Sequence, residues 1–371
     1  MDINDFPKPY IPDKLPLHYL RKAIQSDWDL LRTILSKERK LSEFIGYLQN
    51  LPAPEILISS LTLQEAVLSS RIEGTLATID DVVNNTPQTE ALKNDIVEIE
   101  NYCNAISYGR QELSSTDRGI SKGLIKSLHI LLMKNNVRGA GKTPGEFKTE
   151  QNFIKNTVLG NFTPLPAILT DEYVDNLVDY IREDTELSPL VQAAIMHAQF
   201  EMIHPFKDGN GRVGRLMIPL LLFYKKLLPY PIFYISRYFA ENNDSYKLHL
   251  AKISQSTDTN DKITAWKEWL YFFFDGISHE STRHIETSKQ IIELHKKMSS
   301  VVNKTDMLPL VDMLFDKLKV QPKDAITELS LPGSSVRKEL QRLADEGYLI
   351  RTGSPRKTVY IFNKLLQIVQ K

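Results

Sequence analysis

The residue types best suited to chemistry lie in one segment, residues 204–215, which reads His-Pro-Phe-Lys-Asp-Gly-Asn-Gly-Arg-Val-Gly-Arg. Its Gly-Asn-Gly run at 209–211 can turn backbone N–H groups inward where the next helix begins, and such a nest binds anions. Arg212 and Arg215 are three residues apart, so both are expected to extend from the same side of that helix. Two guanidinium groups beside a helix N-terminus predict a phosphate site, which a triphosphate would fill.

Two further side chains of this segment indicate how such a phosphate site would react. Asp208 offers a hard oxygen ligand beside the phosphates, which suits Mg²⁺ held by one carboxylate and phosphate oxygens. His204 has an ordinary pKa of about 6.5 and can take a proton from an incoming hydroxyl group. Phe206 is expected to anchor the loop, and His197 to pack. The alternative is that His204 caps a helix and that Arg212 and Arg215 form surface ion pairs. This alternative explains each residue separately but does not explain why they occur together.

The segment resembles the signature of the Fic family, H-P-F-x-D-G-N-G-R-x-x-R, at every specified position. The resemblance implies a nucleotidyltransferase that moves AMP from ATP to a Ser, Thr or Tyr hydroxyl of a protein, with pyrophosphate leaving. His204 would be the general base, and Asp208 would hold Mg²⁺ on the α- and β-phosphates. The ATP-binding residues that the resemblance implies are Glu73, His204, Gly209, Asn210, Gly211, Arg212, Val213, Gly214, Arg215 and Glu241.

A second family motif, S/T-x-x-x-E-G/N, matches Ser69, Glu73 and Gly74 at the end of an apolar helix over about 53–74. The resemblance implies that Glu73 pairs with Arg215, takes the place of the γ-phosphate and so keeps the enzyme autoinhibited. The enzyme is also expected to be capable of modifying itself. An exposed glutamate near a helix end is the alternative. Two other activities stay open, which are transfer of another group and removal of AMP with Glu73 positioning water.

Two weaker patterns concern nucleotide binding. Residues 236–242 resemble a family stretch near the base and ribose, so Glu241 is predicted to accept hydrogen bonds there, although a surface glutamate would look the same. Residues 139–143 resemble the end of a P-loop. The pattern fails because Asn136 stands where the first glycine is required and Pro144 follows where a helix should begin. A loop is predicted instead.

The rest of the chain supplies the elements that position these residues. Apolar residues recur at three-to-four spacing, which predicts a mainly α-helical protein. With the resemblance, this becomes a Fic-type helical bundle with a β-hairpin flap, plus a small C-terminal winged-helix domain. The predicted divisions are an N-terminal helical region at 1–100, a catalytic core at 101–300 and the small domain at 301–371. Helices are predicted over 17–48, 91–111, 119–134, 171–181, 189–202 and 244–299, and from 210.

The flap is predicted over residues 143–166, where glycines and prolines separate β-prone pieces at 146–149 and 161–163. By resemblance it would dock the target protein, whose segment could add to its edge as a strand. A purely structural hairpin is the alternative.

The C-terminal domain is predicted from helices at 306–319, 323–329 and 334–346 and strands at 348–352 and 358–362. Residues 331–371 hold eight Lys/Arg against three Asp/Glu, a balance of +5 that is compatible with DNA. Protein docking or dimerisation is equally open. The residues expected at a DNA surface are a capping Ser334 or Ser335, then Arg337, Lys338 and Arg342, with Arg356 and Lys357 at the wing.

Composition narrows the function classes. The formal net charge is zero, so no field from the whole chain favours nucleic acid or membrane. The single cysteine, Cys103, excludes a disulfide framework and suits a reducing compartment. The acidic start and the short apolar stretch at 216–223 predict a cytoplasmic protein without membrane contact. A homodimer is expected from the family. A nucleotide-sensing DNA-binding regulator is the alternative for the whole chain, against which His204 and Asp208 argue.

Overall fold

Helices make up most of the described chain, which confirms the mainly α-helical fold. The computed structural model describes residues 6–49, 55–84, 87–135, 137, 141–155, 160–184, 186–302, 305–354 and 358–370. The helices up to residue 203 are α1 (His18–Ser26), α2 (Trp28–Gln49), α3 (Glu55–Ile72), α4 (Ile79–Asn84), α5 (Glu90–Ser115), α6 (Lys122–Leu132), α7 (Thr170–Glu183) and α8 (Pro189–Ile203). Those beyond are α9 (Asn210–Tyr224), α10 (Ser236–Glu241), α11 (Asn243–Gln255), α12 (Thr259–Val301), α13 (Leu308–Lys317), α14 (Pro322–Leu329), α15 (Gly333–Asp345) and α16 (Asn363–Val369).

Aspartate caps divide two of the predicted helices. The predicted helix over 17–48 is interrupted at Asp27, whose carboxylate accepts the Leu30 N–H at 3.0 Å and opens α2. The predicted helix over 244–299 is likewise two helices, since Asp258 accepts two backbone N–H groups and starts α12. An aspartate at this position satisfies N–H groups that a helix start leaves without partners. Ser188 and Pro189 open α8 as predicted.

Helix α8 lies at the centre of the core, and almost every one of its residues is buried. The Trp269 indole of α12 donates a hydrogen bond to the Ala194 carbonyl of α8 at 2.9 Å. Helix α9 packs against α8, and α12 packs along α2. This packing holds the C-terminal end of α8 and the start of α9 side by side, and residues 204–215 form the loop and the helix start at this place.

The predicted flap is less regular than a hairpin. Among its described residues, the strand-like pairing is one antiparallel bridge, with Ile154 and Phe162 exchanging two hydrogen bonds of 2.9 Å. The prediction that residues 146–149 form a β-strand of this flap is wrong. They run along the loop before α9 instead, and the Lys148 N–H donates to the Pro205 carbonyl at 2.8 Å. Pro164 and Pro166, at the C-terminal end of the flap, have no backbone N–H group to donate to a β-ladder. Residues 156–159 lie outside the described chain.

The C-terminal region contains three helices and a sheet close to their predicted positions. The strands are β1 (Lys319–Val320), β2 (Ile350–Thr352) and β3 (Val359–Ile361), paired antiparallel in the order β1-β3-β2. Strand β1 and helix α16 were not predicted. Helix α15 begins after Pro332, so Ser334 and Ser335 lie inside its first turn and neither is the cap.

The same region packs on α3, the predicted inhibitory helix. Helices α13 and α16 both contact α3. The Gln64 amide of α3 donates to the Val369 carbonyl, and the Ser59 hydroxyl donates to Asp316 at 2.7 Å. The predicted wing residues Arg356 and Lys357 lie outside the described chain. Within the described ranges, no helix combines the length and apolar character needed to cross a bilayer.

Candidate active site

The loop between α8 and α9 is held by its own backbone and one amide. His204 ends α8 in the left-handed conformation (φ 50°), and Gly209 (φ 74°) turns the chain into α9. The buried Asn210 amide accepts the Phe206 N–H and donates to the Phe206 carbonyl, both at 2.8 Å. Phe206 is fully buried and stacks on His129 at 3.8 Å, which confirms its anchoring role. The Asn210 side chain therefore braces the loop rather than pointing to a ligand.

Arg215 brings the predicted inhibitory residues together. Its Nη2 donates to Glu73 Oε1 at 2.7 Å and to the Ser69 carbonyl at 3.0 Å, and its Nε donates to the Ser69 hydroxyl at 2.9 Å. A β-carbon at Gly211 would overlap Glu73 Oε1, so the carboxylate lies directly over the first turn of α9. Gly74 has a φ of 95° and turns the chain after α3. Glu73 thus places a negative charge at the N-terminal turn of α9, where backbone N–H groups favour an anion.

The charge of Glu73 is stabilised where it lies. Burial raises the pKa of this carboxyl, but the Arg215 guanidinium and its hydrogen bond outweigh burial and hold the pKa below its usual range. The side chain of Glu73 keeps 37% of its surface exposed, whereas Arg215 keeps 1%. Solvent therefore reaches one side of the pair only.

Arg212 does not share the direction of Arg215, so that expectation is wrong. Its Nη1 lies 2.9 Å from Glu98 Oε1 of α5, and both side chains are almost fully buried. Residues three apart on a helix differ by about 60° around the axis, which is enough for each to face a different neighbour. Val213 is fully buried in the core, so only its backbone can face a ligand.

His204 is predominantly neutral in this setting. Burial and, to a smaller extent, the charge of Lys148 lower its pKa to about 4, although the Glu73 carboxylate opposes both. The Lys148 Nζ donates to the Ile203 carbonyl at 2.9 Å, and burial lowers its pKa to about 7. Nδ1 of His204 is buried and has no hydrogen-bond partner among the described residues. A neutral imidazole has one unprotonated ring nitrogen, which can accept a proton.

Asp208 fits a cation held mainly by a ligand's phosphates. Burial raises the pKa of its carboxyl, but the Lys142 ammonium at 2.9 Å and the Gly209 N–H at 2.7 Å outweigh burial and lower it. The described residues contain no group of three side chains able to hold a metal. One ionised, partly exposed carboxylate is the protein's usual share of a Mg²⁺ site that is completed by phosphate and water. Lys142, from the discarded P-loop pattern, was not predicted here.

A cavity of about 410 Å³ joins these groups. Glu73, His204, Gly211 and Arg215 line it, together with five charged or phenolic side chains that the sequence did not single out, which are Lys155, Glu201, Asp244, Tyr246 and Lys247. The side chain of His197 packs beneath it, 2.8 Å from the Tyr246 hydroxyl. Glu241 is not brought to this cavity. It pairs with Arg283 at 3.0 Å and lines a separate cavity beside α3.

Comparison with known proteins agrees with this geometry. The sequence model of the Fic/DOC family N-terminal region matches residues 32–111, and that of the Fic/DOC family matches residues 119–222. The chain belongs to the Fic/DOC family. The Fic match ends within α9, so it contains the whole loop from His204 to Arg215, and the N-terminal match contains α3 with Glu73.

Two curated relatives match part of this Fic protein. A probable protein adenylyltransferase of Aquifex aeolicus is 26% identical over 175 residues, which is 47% of this chain and 52% of the relative. A protein adenylyltransferase of Caenorhabditis elegans is 30% identical over 124 residues, which is 32% of this chain and 21% of the relative. The matched part is therefore about half of the first relative's length and a fifth of the second's.

Two solved structures have a similar fold. A Fic domain-containing signaling protein from Bacteroides thetaiotaomicron aligns with a TM-score of 0.56 at 21% identity, covering 69% of this chain and 97% of the other. A Fic family protein from Desulfovibrio desulfuricans aligns with a TM-score of 0.55 at 20% identity, covering 89% of this chain and 95% of the other. The second alignment extends over most of the chain.

Proposed function

We propose that this Fic protein transfers AMP from ATP to a hydroxyl side chain of a protein. One observation carries the proposal, which is that neutral His204 and the buried cation Arg215 line one cavity together with Gly211 of the first turn of α9. A base, a cation and free helix N–H groups are what a phosphoryl-type transfer to a hydroxyl requires. The curated relatives named protein adenylyltransferases support the same activity.

Each residue then has a defined part. The N–H groups of Asn210 and Gly211 and the Arg215 guanidinium hold the triphosphate, so that the α-phosphorus faces the incoming hydroxyl. His204 takes the hydroxyl proton as the oxygen bonds to the α-phosphorus, and the bond to pyrophosphate breaks. Mg²⁺ bound beside Asp208 would neutralise phosphate charge when present. Because the chemistry is mostly positioning, the geometry around α9 sets the rate.

We also propose that the described conformation is autoinhibited. Glu73 Oε1 lies over Gly211 and holds Arg215, so a γ-phosphate and Glu73 compete for one position. Two carboxylate or phosphate anions cannot share that site without strong repulsion. Release of α3 would free Arg215 for ATP. The competition for one position supports autoinhibition. We propose that self-modification follows once the site is free.

The flap is the proposed docking site of the target. Ile154 and Phe162, the bridged residues of the flap, line the same cavity as His204. A target segment laid along this edge as an added strand would bring its hydroxyl toward the His204 imidazole. The homodimer stays a prediction from the family.

DNA binding by the proposed winged helix has less support than the sequence suggested. Arg337 and Lys338 are exposed on α15, but Arg342 is bound by Glu339 and Glu346 of the same helix. An arginine already paired with two carboxylates contributes little positive field. The nucleotide-sensing regulator therefore remains the secondary hypothesis.

Intact-mass measurement tests the proposed reaction. We would incubate Glu73→Gly protein with ATP and Mg²⁺, beside the double variant that also carries His204→Ala. The expected result is a gain of one AMP by the first protein and none by the second. An adduct of a different mass would show transfer of another group, and full labelling of the double variant would refute the role of His204.

A further inference from the structure

Glu201 is an acidic side chain of the cavity that the proposed reaction does not use. It lies on the last turn of α8, and its carboxylate rests against Gly214 of α9, where a β-carbon would come within 2.5 Å of Glu201 Oε1. This oxygen is buried and has no hydrogen-bond partner among the described residues. A buried polar atom without a partner costs free energy, so a native one suggests a ligand or a function.

Gly211 and Gly214 leave one side of α9 without side chains, and two carboxyl groups lie against that side. Glu73 lies over Gly211, and Glu201 lies over Gly214, one turn further along. Positions three apart are separated by about 4.5 Å along a helix axis. Arg215 lies beside both. A phosphate that replaced Glu73 would therefore come within reach of the Glu201 carboxyl group.

We propose that Glu201 binds ATP as a protonated carboxylic acid, donating a hydrogen bond to the phosphate oxygen that takes the place of the Glu73 carboxylate. That ATP is the ligand rests on the proposed function. An ionised Glu201 would instead repel the phosphate across a short, poorly solvated distance. In the acid form the carboxyl group of Glu201 carries an O–H donor, so it can donate a hydrogen bond to a phosphate oxygen of the ligand.

The surroundings favour this proton. Burial, opposed by the Arg215 charge and aided by the Glu73 charge, raises the pKa of Glu201 to about 7. A phosphate in the place of Glu73 keeps a negative charge there, so the proton is retained when ATP binds. The charged and titratable groups around Glu201 are Arg215 from α9, Glu73 just after α3, Tyr246 from α11 and His197 from its own helix. The same cavity is also lined by His204, Asp244, Lys247 and Lys155 of the flap.

The pH dependence of ATP affinity tests the proposal. Calorimetry would compare full-length Glu73→Gly protein with the same protein carrying Glu201→Gln, at pH 6 and pH 8. The pKa of Glu201 is about 7 with Glu73 present and lies at or below that value in these variants, because Glu73 no longer raises it. A group of this pKa that must be protonated weakens binding about tenfold or more over this range. The glutamine amide keeps a donor and has no proton to lose, so the tenfold component should vanish. Lys148 and ATP itself also titrate in this range, but both are present in the two measurements. The test is therefore the difference between the two proteins in the pH dependence of their ATP affinity.

Proton uptake gives a second readout that needs no change at position 201. Binding of ATP to the Glu73→Gly protein at pH 7.5, measured in two buffers of different ionisation enthalpy, should take up a fraction of a proton. Equal pH dependence in the two proteins, or binding without uptake, overturns the role of Glu201 and leaves the proposed function standing. No ATP binding at pH 6 by the Glu73→Gly protein overturns both.

Discussion

Glu73→Gly removes the carboxylate over the first turn of α9 and leaves the turn after α3 able to form. The lost contact is the 2.7 Å hydrogen bond to Arg215 Nη2. A hydrogen bond between charged groups contributes about 1.5–3 kcal/mol when buried. Because Glu73 keeps 37% of its side chain exposed, solvent screening reduces this to about 1–2 kcal/mol. If that energy separates the closed from the competent site, AMP incorporation should rise about 5–30-fold.

The assay follows labelled ATP into protein and, in the same time course, the release of label. Arg71→Gly is the matched control, because it places a glycine two residues earlier on the exposed side of the same helix end. Arg215 keeps both hydrogen bonds to Ser69, so the Glu73→Gly protein should stay folded. Equal incorporation by wild type and Glu73→Gly would refute the inhibitory role, and so would an equal rise in Arg71→Gly. Lower incorporation would make Glu73 a participant in catalysis, and loss of label release would favour AMP removal.

Four further predictions concern the base, its pH dependence, the metal and the C-terminal domain. His204→Ala should lower AMP transfer about 10²–10⁴-fold with ATP binding retained, as a filter-binding assay would show. The neutral imidazole is the active form, so its pKa of about 4 should keep transfer by Glu73→Gly protein nearly constant from pH 7.5 to 5.5, and a tenfold fall would indicate an ordinary pKa. Asp208→Asn should raise the Mg²⁺ concentration for half-maximal transfer about tenfold or more, and an unchanged requirement would place the metal elsewhere. Arg337→Ala with Lys338→Ala should weaken any DNA binding and its salt dependence in gel shifts while leaving transfer intact, whereas no binding by wild type at low salt would favour protein docking.

Local sequence was sufficient for most of the helices and for the centre of the site. Apolar periodicity and caps such as Ser188 act within a few residues, so they could be recognised without knowing the fold. The loop at 204–209 and the helix start at Asn210 are also local, since glycines and a bridging amide set them. The errors came where a short polar side chain acted as an unnoticed cap, as at Asp27, or where the described part of the flap forms a single bridge in place of a hairpin ladder.

What only the tertiary structure decided is which groups meet and in which protonation state. The spacing of Arg212 and Arg215 suggested one shared ligand, but α5 supplies Glu98 to the first and α3 supplies Ser69 and Glu73 to the second. The sequence by itself determined the motif that carries His204, whereas its lowered pKa depends on burial and on Lys148, a residue far along the chain. Periodicity describes one segment at a time, while desolvation and ion pairing are properties of the packed neighbours, so the direction of each arginine and the charge of each acid appear only after folding.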